Sequence, residues 1–210
     1  MVKLKIWVGF VVLAAMLLVS GAHADPTLQQ LSAIQGDAKR LAPALEAGRK
    51  QALFCFNCHG EKGVSIQADI PNLAGQPASY LVEQIRRFGD GRRRNEFMQG
   101  LIKALSDDEK LNIALYYAAQ PLVTTGGGQG NPEQGKAVYV KLCQSCHGET
   151  GRGNQVTPTV AGQQFVYLVK STQRYRDKTG ERQHKEMSDA VAKMSNADIN
   201  HVSVYLARMK

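Results

Sequence analysis

All four cysteines of this 210-residue chain fall in two short stretches, CFNCHG at 55–60 and CQSCHG at 143–148. Cys55, Cys58 and His59 therefore stand in the same frame as Cys143, Cys146 and His147. Four chemistries can use such a frame. Disulfides would close very small loops, restrain little of the unfolded chain and leave both histidines unexplained. A redox dithiol of thioredoxin type belongs at the end of a strand in an α/β fold, and no strand-type alternation is visible. Zinc takes Cys and His ligands, but one Cys-Cys-His run is cramped for a tetrahedral centre. Covalent haem uses all three residues at once. Two thiols three positions apart add across the porphyrin vinyl groups, and the next residue reaches the iron as proximal ligand. Two haem c groups, on Cys55/Cys58 and Cys143/Cys146 with His59 and His147 on the irons, are thus expected.

The sixth iron ligand separates electron carriers from enzymes. Between His59 and the middle of the chain there is no further histidine, and Met98 is the single methionine. In the second half Met187, Met194, Met209, His184 and His201 compete. The repeat register chooses among them: Met98 maps on Met187, whereas Met194 maps on Leu105, an apolar position. Met194 and Met209 read as core fillers, His201 as a surface or packing residue, and His184 as the rival ligand. Histidine with methionine gives a six-coordinate iron of relatively high potential, with no vacant position for substrate.

That register runs through most of the chain. The cysteine motifs repeat at an offset of 88, Pro71, Ala74-Gly75-Gln76 and Tyr80-Leu81 map on Pro158, Ala161-Gly162-Gln163 and Tyr167-Leu168 at 87, and Met98, Ser106 and Tyr116 map on Met187, Ser195 and Tyr205 at 89. Between the halves, QPLVTTGGGQGNPEQG at 120–135 lacks helix propensity. The expected organisation is a signal peptide at 1–24, a first domain at 25–122, a glycine-rich linker at 123–130 and a second domain at 131–210, with 126–132 as its most flexible part. The signal reading rests on two early lysines, an apolar run at 6–19 too short for a membrane span, and small residues around Ala24.

The positioning elements read as helices, and the fold class as all-α. Ser106 with Glu109, and Ser195 with Asp198, begin two amphipathic stretches at capping-box spacing. Helical patterns also cover 28–40, 44–54, 78–88, 137–142 and 164–175. Residues 25–44 have no counterpart ahead of the second motif and suit either packing over the first domain or a docking arm, packing being the simpler reading.

With CFNCHG and Met98, CQSCHG and Met187, the PNLAGQ and TPTVAGQ stretches and the two terminal helices, the mature chain resembles the dihaem class I cytochromes c of the cytochrome c4 family. The resemblance implies two tandem cytochrome c-like domains, export to the periplasm and single-electron transfer toward a terminal oxidase. It also implies that the Pro71 and Pro158 carbonyls accept hydrogen bonds from the haem-bound histidines.

Charge bears on partners. Loss of Lys3 and Lys5 with the signal lowers the net charge from +8 to +6, and four haem propionates would bring it to roughly +2, which argues against nucleic acid. Arg86, Arg87, Arg92, Arg93 and Arg94 precede Met98, and Arg174, Arg176, Lys178, Arg182 and Lys185 precede Met187. Such charge at a haem edge would steer acidic redox proteins, sit on a solvated helix face, or pair with propionates. The expected activity is electron transfer from a quinol-oxidising bc-type complex to a terminal oxidase, without substrate chemistry of its own, by a monomer or homodimer able to touch a membrane surface. The alternatives are a dihaem subunit of a periplasmic dehydrogenase such as flavocytochrome c sulfide dehydrogenase, and a peroxidase-like dihaem enzyme.

Overall fold

The structure, a computed structural model, describes residues 25–210; the signal peptide read at 1–24 lies outside the described residues. Eleven α-helices follow in order: α1 (Pro26–Gln35), α2 (Ala38–Gln51), α3 (Phe56–His59), α4 (Ala78–Gly89), α5 (Glu96–Lys103), α6 (Asp107–Ala118), α7 (Pro132–Leu142), α8 (Gln144–His147), α9 (Phe165–Arg176), α10 (Lys185–Val191) and α11 (Asn196–Arg208). Among the described residues the strand-type pairing is a single bridge, Arg93 with Arg182. The fold is all-α, as the periodicity predicts, and no described helix is long and apolar enough to cross a membrane.

Two separate apolar clusters form. The first gathers Leu31, Ile34, Leu81, Val82, Leu111, Leu115 and Tyr117 from α1, α4 and α6. The second gathers Tyr139, Leu168, Val191, Ile199, Val202 and Leu206 from α7, α9, α10 and α11, with Met194 from the connection between the last two. In each half a long N-terminal helix crosses the C-terminal one, α2 on α6 and α7 on α11.

The contact depends on one glycine per pair. A Cβ at Gly48 would lie 2.1 Å from the Asn112 carbonyl oxygen, and one at Gly135 would lie 2.0 Å from that of His201. The C-terminal helices start as their sequences predict. Ser106 and Ser195 hydroxyls accept from the Glu109 and Asp198 N–H groups, and those carboxylates accept in return from the serine N–H groups. Ser106→Ala and Ser195→Ala should each cost about 1 kcal/mol in denaturant unfolding, with haem content unchanged.

Two elements, the first helix break and the connection, depart from the sequence reading. The first helical region breaks at Gly36-Asp37, not near Pro43, because the Asp37 side chain accepts from Lys39 N–H and starts α2 there, leaving Pro43 inside the helix. α1 packs over the first domain, as the simpler reading of 25–44 expects, since Leu31 and Ile34 are buried in the first cluster. The glycine-rich connection is also held at several points: Gly126 N–H donates to the Ala207 carbonyl at 2.9 Å and the Thr125 hydroxyl to the Gly162 carbonyl at 3.0 Å.

The halves meet through reciprocal polar contacts. The Gln76 carboxamide donates to the Thr159 carbonyl at 2.7 Å and accepts from Thr159 N–H at 3.1 Å. The Gln163 carboxamide likewise accepts from Asn72 N–H at 2.7 Å and donates to the Asn72 carbonyl at 3.0 Å. All four residues are buried, where hydrogen bonds are costly to leave unmade.

Candidate haem-binding sites

Each cysteine motif folds as one helical turn. His59 N–H donates to the Cys55 carbonyl at 2.9 Å, and His147 N–H to the Cys143 carbonyl at 2.9 Å. Such a turn places residues three and four apart on one face, so both thiols and the following imidazole share a side. Gly60 ends the first turn with φ 76°, where a Cβ would lie 2.3 Å from the Val64 carbonyl oxygen; only glycine fits. The four cysteines are not paired with one another.

Both histidines are buried, and each uses one ring nitrogen internally. His59 Nδ1 lies 2.9 Å from the Pro71 carbonyl oxygen, and His147 Nδ1 lies 3.1 Å from that of Pro158. A carbonyl can only accept, so Nδ1 carries the proton and Nε2 keeps a free lone pair. Burial pushes both imidazoles below their ordinary pKa, against the opposing hydrogen bonds from the chain. A neutral ring offering Nε2 is the form that ligates a metal.

Met98 and Met187 occupy equivalent places, each the third residue of a short helix, α5 or α10. Neither helix was legible from periodicity. Asn95 caps α5 by accepting from Met98 N–H at 3.0 Å. Phe97, beside Met98, stacks on Phe54, beside Cys55, with ring centroids 6.3 Å apart, which brings α5 to the cysteine turn. Met187 packs with Cys143 against the second cluster. His184, the rival ligand, holds the position of Asn95 in the repeat, exposed at the start of α10 with Nδ1 3.1 Å from Glu186. Met194 is buried in the core, and His201 Nδ1 accepts from Asn131 N–H at 3.0 Å.

These residues fit porphyrins in two further respects. Leu53, Phe54 and Phe97 bracket the first turn although each is more than half exposed, and Val140 does so at the second. Such an apolar surface is what a large flat group covers. Arg93 and Arg182 face each other's half with no carboxylate within ion-pair distance among the described residues. Arg93 donates to Gln84 and the Tyr167 hydroxyl, Arg182 to the Tyr167 and Tyr175 hydroxyls. Burial pushes the Tyr167 phenol up, but the two guanidiniums outweigh it and bring the pKa down to about 8. Arg182 is buried and Arg93 partly so, and such a positive pair without counter-charge suits anionic propionates.

The remaining basic run is less free than its sequence implies. Arg86 and Arg87 pair with Glu83, Arg92 with Asp90 and Glu83, and Arg94 donates to the Gly180 carbonyl of the other half at 2.8 Å. Much of this charge is compensated locally or joins the halves. The Glu83 pairs with Arg86 and Arg87 follow i,i+3 and i,i+4 spacing on α4, whereas the Gly180 contact, between residues far apart in sequence, has no local signal.

Two thiol pairs, each followed by a buried neutral imidazole and set in an all-helical half, define a c-type cytochrome carrying two covalently bound haem c groups. Comparison with known proteins agrees. The cytochrome c family model matches residues 132–210. Cytochrome c4 of Pseudomonas aeruginosa is 33% identical over 172 residues, covering 76% of this chain and 86% of that protein. The crystal structure of reduced recombinant cytochrome c4 from Pseudomonas stutzeri superposes with a TM-score of 0.69 at 28% identity, covering 79% of this chain and 98% of that one. A thiosulfate dehydrogenase electron acceptor of Stutzerimonas stutzeri is 29% identical, covering 75% and 80%. The chain belongs to the cytochrome c4 family of electron-transfer cytochromes.

Proposed function

We propose that this protein is an exported, periplasmic dihaem shuttle that takes single electrons from a quinol-oxidising bc-type complex and delivers them to a terminal oxidase. In this reading Cys55 and Cys58 hold one haem, with His59 and Met98 on its iron, and Cys143 and Cys146 hold the other, with His147 and Met187. The Pro71 and Pro158 carbonyls orient the two imidazoles. Bound haem supplies one-electron ferric–ferrous exchange. The chain provides the attachment thiols, neutral imidazoles of fixed tautomer, apolar cover, and guanidiniums able to pair with propionates.

The carrying observation is that each half offers a buried histidine with Nε2 free and, at the same repeat position, a methionine three residues into a short helix. Two strong protein ligands leave no position for substrate, which favours a carrier over a peroxidase-like enzyme. The test is carbon monoxide binding to the fully reduced protein together with turnover by a terminal oxidase. The carrier reading expects no carbon monoxide adduct and catalytic oxidation of the protein; an adduct at either haem of the native chain would overturn it. Replacing Arg182 by glutamine should lower the midpoint potential of at least one haem without changing haem content, because a lost positive charge favours the more positive ferric state.

A second reading has its own support. The similarity to a thiosulfate dehydrogenase electron acceptor favours a donor that is a periplasmic dehydrogenase, so that the protein relays electrons from substrate oxidation rather than from quinol. Reduction by a purified sulfur-compound dehydrogenase faster than by a bc-type complex would select this reading.

A further inference from the structure

The two glutamines that join the halves end on particular peptide groups. The peptide linking Pro71 to Asn72 accepts from the His59 imidazole through its oxygen at 2.9 Å and donates to Gln163 Oε1 through its nitrogen at 2.7 Å. In the other half the peptide linking Pro158 to Thr159 accepts from His147 at 3.1 Å and donates to Gln76 Oε1 at 3.1 Å. Each imidazole is thus separated from the opposite half by a single planar amide hydrogen-bonded at both ends.

An amide whose N–H is engaged by an acceptor carries more negative charge on its oxygen, and hydrogen bonds in such a chain strengthen one another in a low-dielectric interior. Gln163, Asn72, Gln76 and Thr159 are all buried, so water does not replace the glutamine. A stronger bond to Nδ1–H makes the imidazole more electron-rich at Nε2, and a more basic ligand favours ferric over ferrous iron.

We propose that Gln163 and Gln76 are crossed positioning residues: Gln163 tunes the haem bound by Cys55 and Cys58, and Gln76 tunes the haem bound by Cys143 and Cys146, each through one peptide group of the opposite half. This inference rests on His59 and His147 being the iron ligands. It goes beyond the carrier reading because it gives each haem potential a determinant in the domain that does not bind that haem. The same contact makes the potentials sensitive to how the halves are seated, so a partner that shifts the interface would alter both.

The test uses the holoprotein with Gln163→Leu, Gln76→Leu and Gln163→Glu. Each haem's midpoint is followed separately by NMR during a redox titration, together with the histidine Nδ1–H resonances of the reduced state. Gln163→Leu removes the acceptor from Asn72 N–H, and the first haem should become easier to reduce, by up to about tenfold in its redox equilibrium, or about 59 mV for one electron. The second haem should stay where it was, and the His59 Nδ1–H resonance should move upfield. Gln76→Leu should give the mirror pattern. Gln163→Glu presents a stronger acceptor and should lower the first midpoint. Mere loosening of the interface would admit water to both haems and move both midpoints down in all variants.

A shift on the haem of the substituted half, equal shifts of both haems, or a downward shift with leucine would overturn the proposal. Should Gln163→Leu fail to accumulate, Gln76→Leu and Gln163→Glu decide the same question. Haem content, from the absorbance of the alkaline pyridine complex, separates the two levels of failure. Two covalent haems with unmoved midpoints sink the relay alone, whereas a native chain without two haems sinks the haem reading beneath it.

Discussion

A Met98→Ala holoprotein is expected to bind one equivalent of carbon monoxide when reduced, to lose about half of its sulfur-to-iron charge-transfer absorption when oxidised, and to show a lower potential at one haem only. Thioether opposite imidazole raises the potential of haem iron, so its removal both opens a position and disfavours the ferrous state. Met187→Ala should do the same at the other haem, and the double variant should bind two equivalents. Met194→Ala is the control. Its side chain is buried among Val191, Ile199 and Leu206, so truncation should cost about 2–5 kcal/mol of stability and leave the iron spectra unchanged. Spectra that moved with Met194 and not with Met187 would refute the assignment in the second half.

Gly48→Ala and Gly135→Ala should be the most destabilising glycine-to-alanine changes within the helices. Alanine would gain about 1 kcal/mol in a helix interior. Here, however, the new Cβ meets backbone: 2.1 Å from the Asn112 oxygen at Gly48 and 2.0 Å from the His201 oxygen at Gly135, with a tyrosine Cβ 2.8 Å away in each case. Backbone cannot rotate aside, so the helices must separate, at a cost of about 3 kcal/mol. For a chain of this size that corresponds to a fall of roughly 6–12 °C in the midpoint of thermal unfolding. An unchanged or raised midpoint in either variant would show that the α2–α6 or α7–α11 crossing is looser than described.

What the sequence disclosed, and what it hid, follows from the range of the interactions. The Cys-x-x-Cys-His turn is local, so its geometry is written in adjacent residues. The capping boxes at Ser106 and Ser195 are equally local. Met98 and Met187 were singled out by repeat register, although the short helices α5 and α10 that carry them lack enough turns to show a period. The break at Gly36-Asp37 was missed because Pro43 is a stronger signal in sequence than an aspartate cap. The glutamine pairs left no readable trace, since they bond to backbone atoms about ninety positions away and any residue can supply those. The arginine run suited steering charge, a solvated helix face or propionate pairing, and its ion pairs with Glu83 and Asp90 compensate much of it.

The crossed glutamine contacts also bear on how a chain of this design could arise. Because each half gives and receives the same pair of bonds, this part of the interface is isologous in the sense of a two-fold dimer. Two identical copies of one half would satisfy every one of these four bonds, and the tether from 120 to 131 contributes none of them. Since the acceptors and donors are main-chain atoms of Asn72 and Thr159, the side chains there were free to diverge after duplication while the glutamines stayed in register. Fusion would then have changed the effective concentration of one half for the other, and not the shape of their contact.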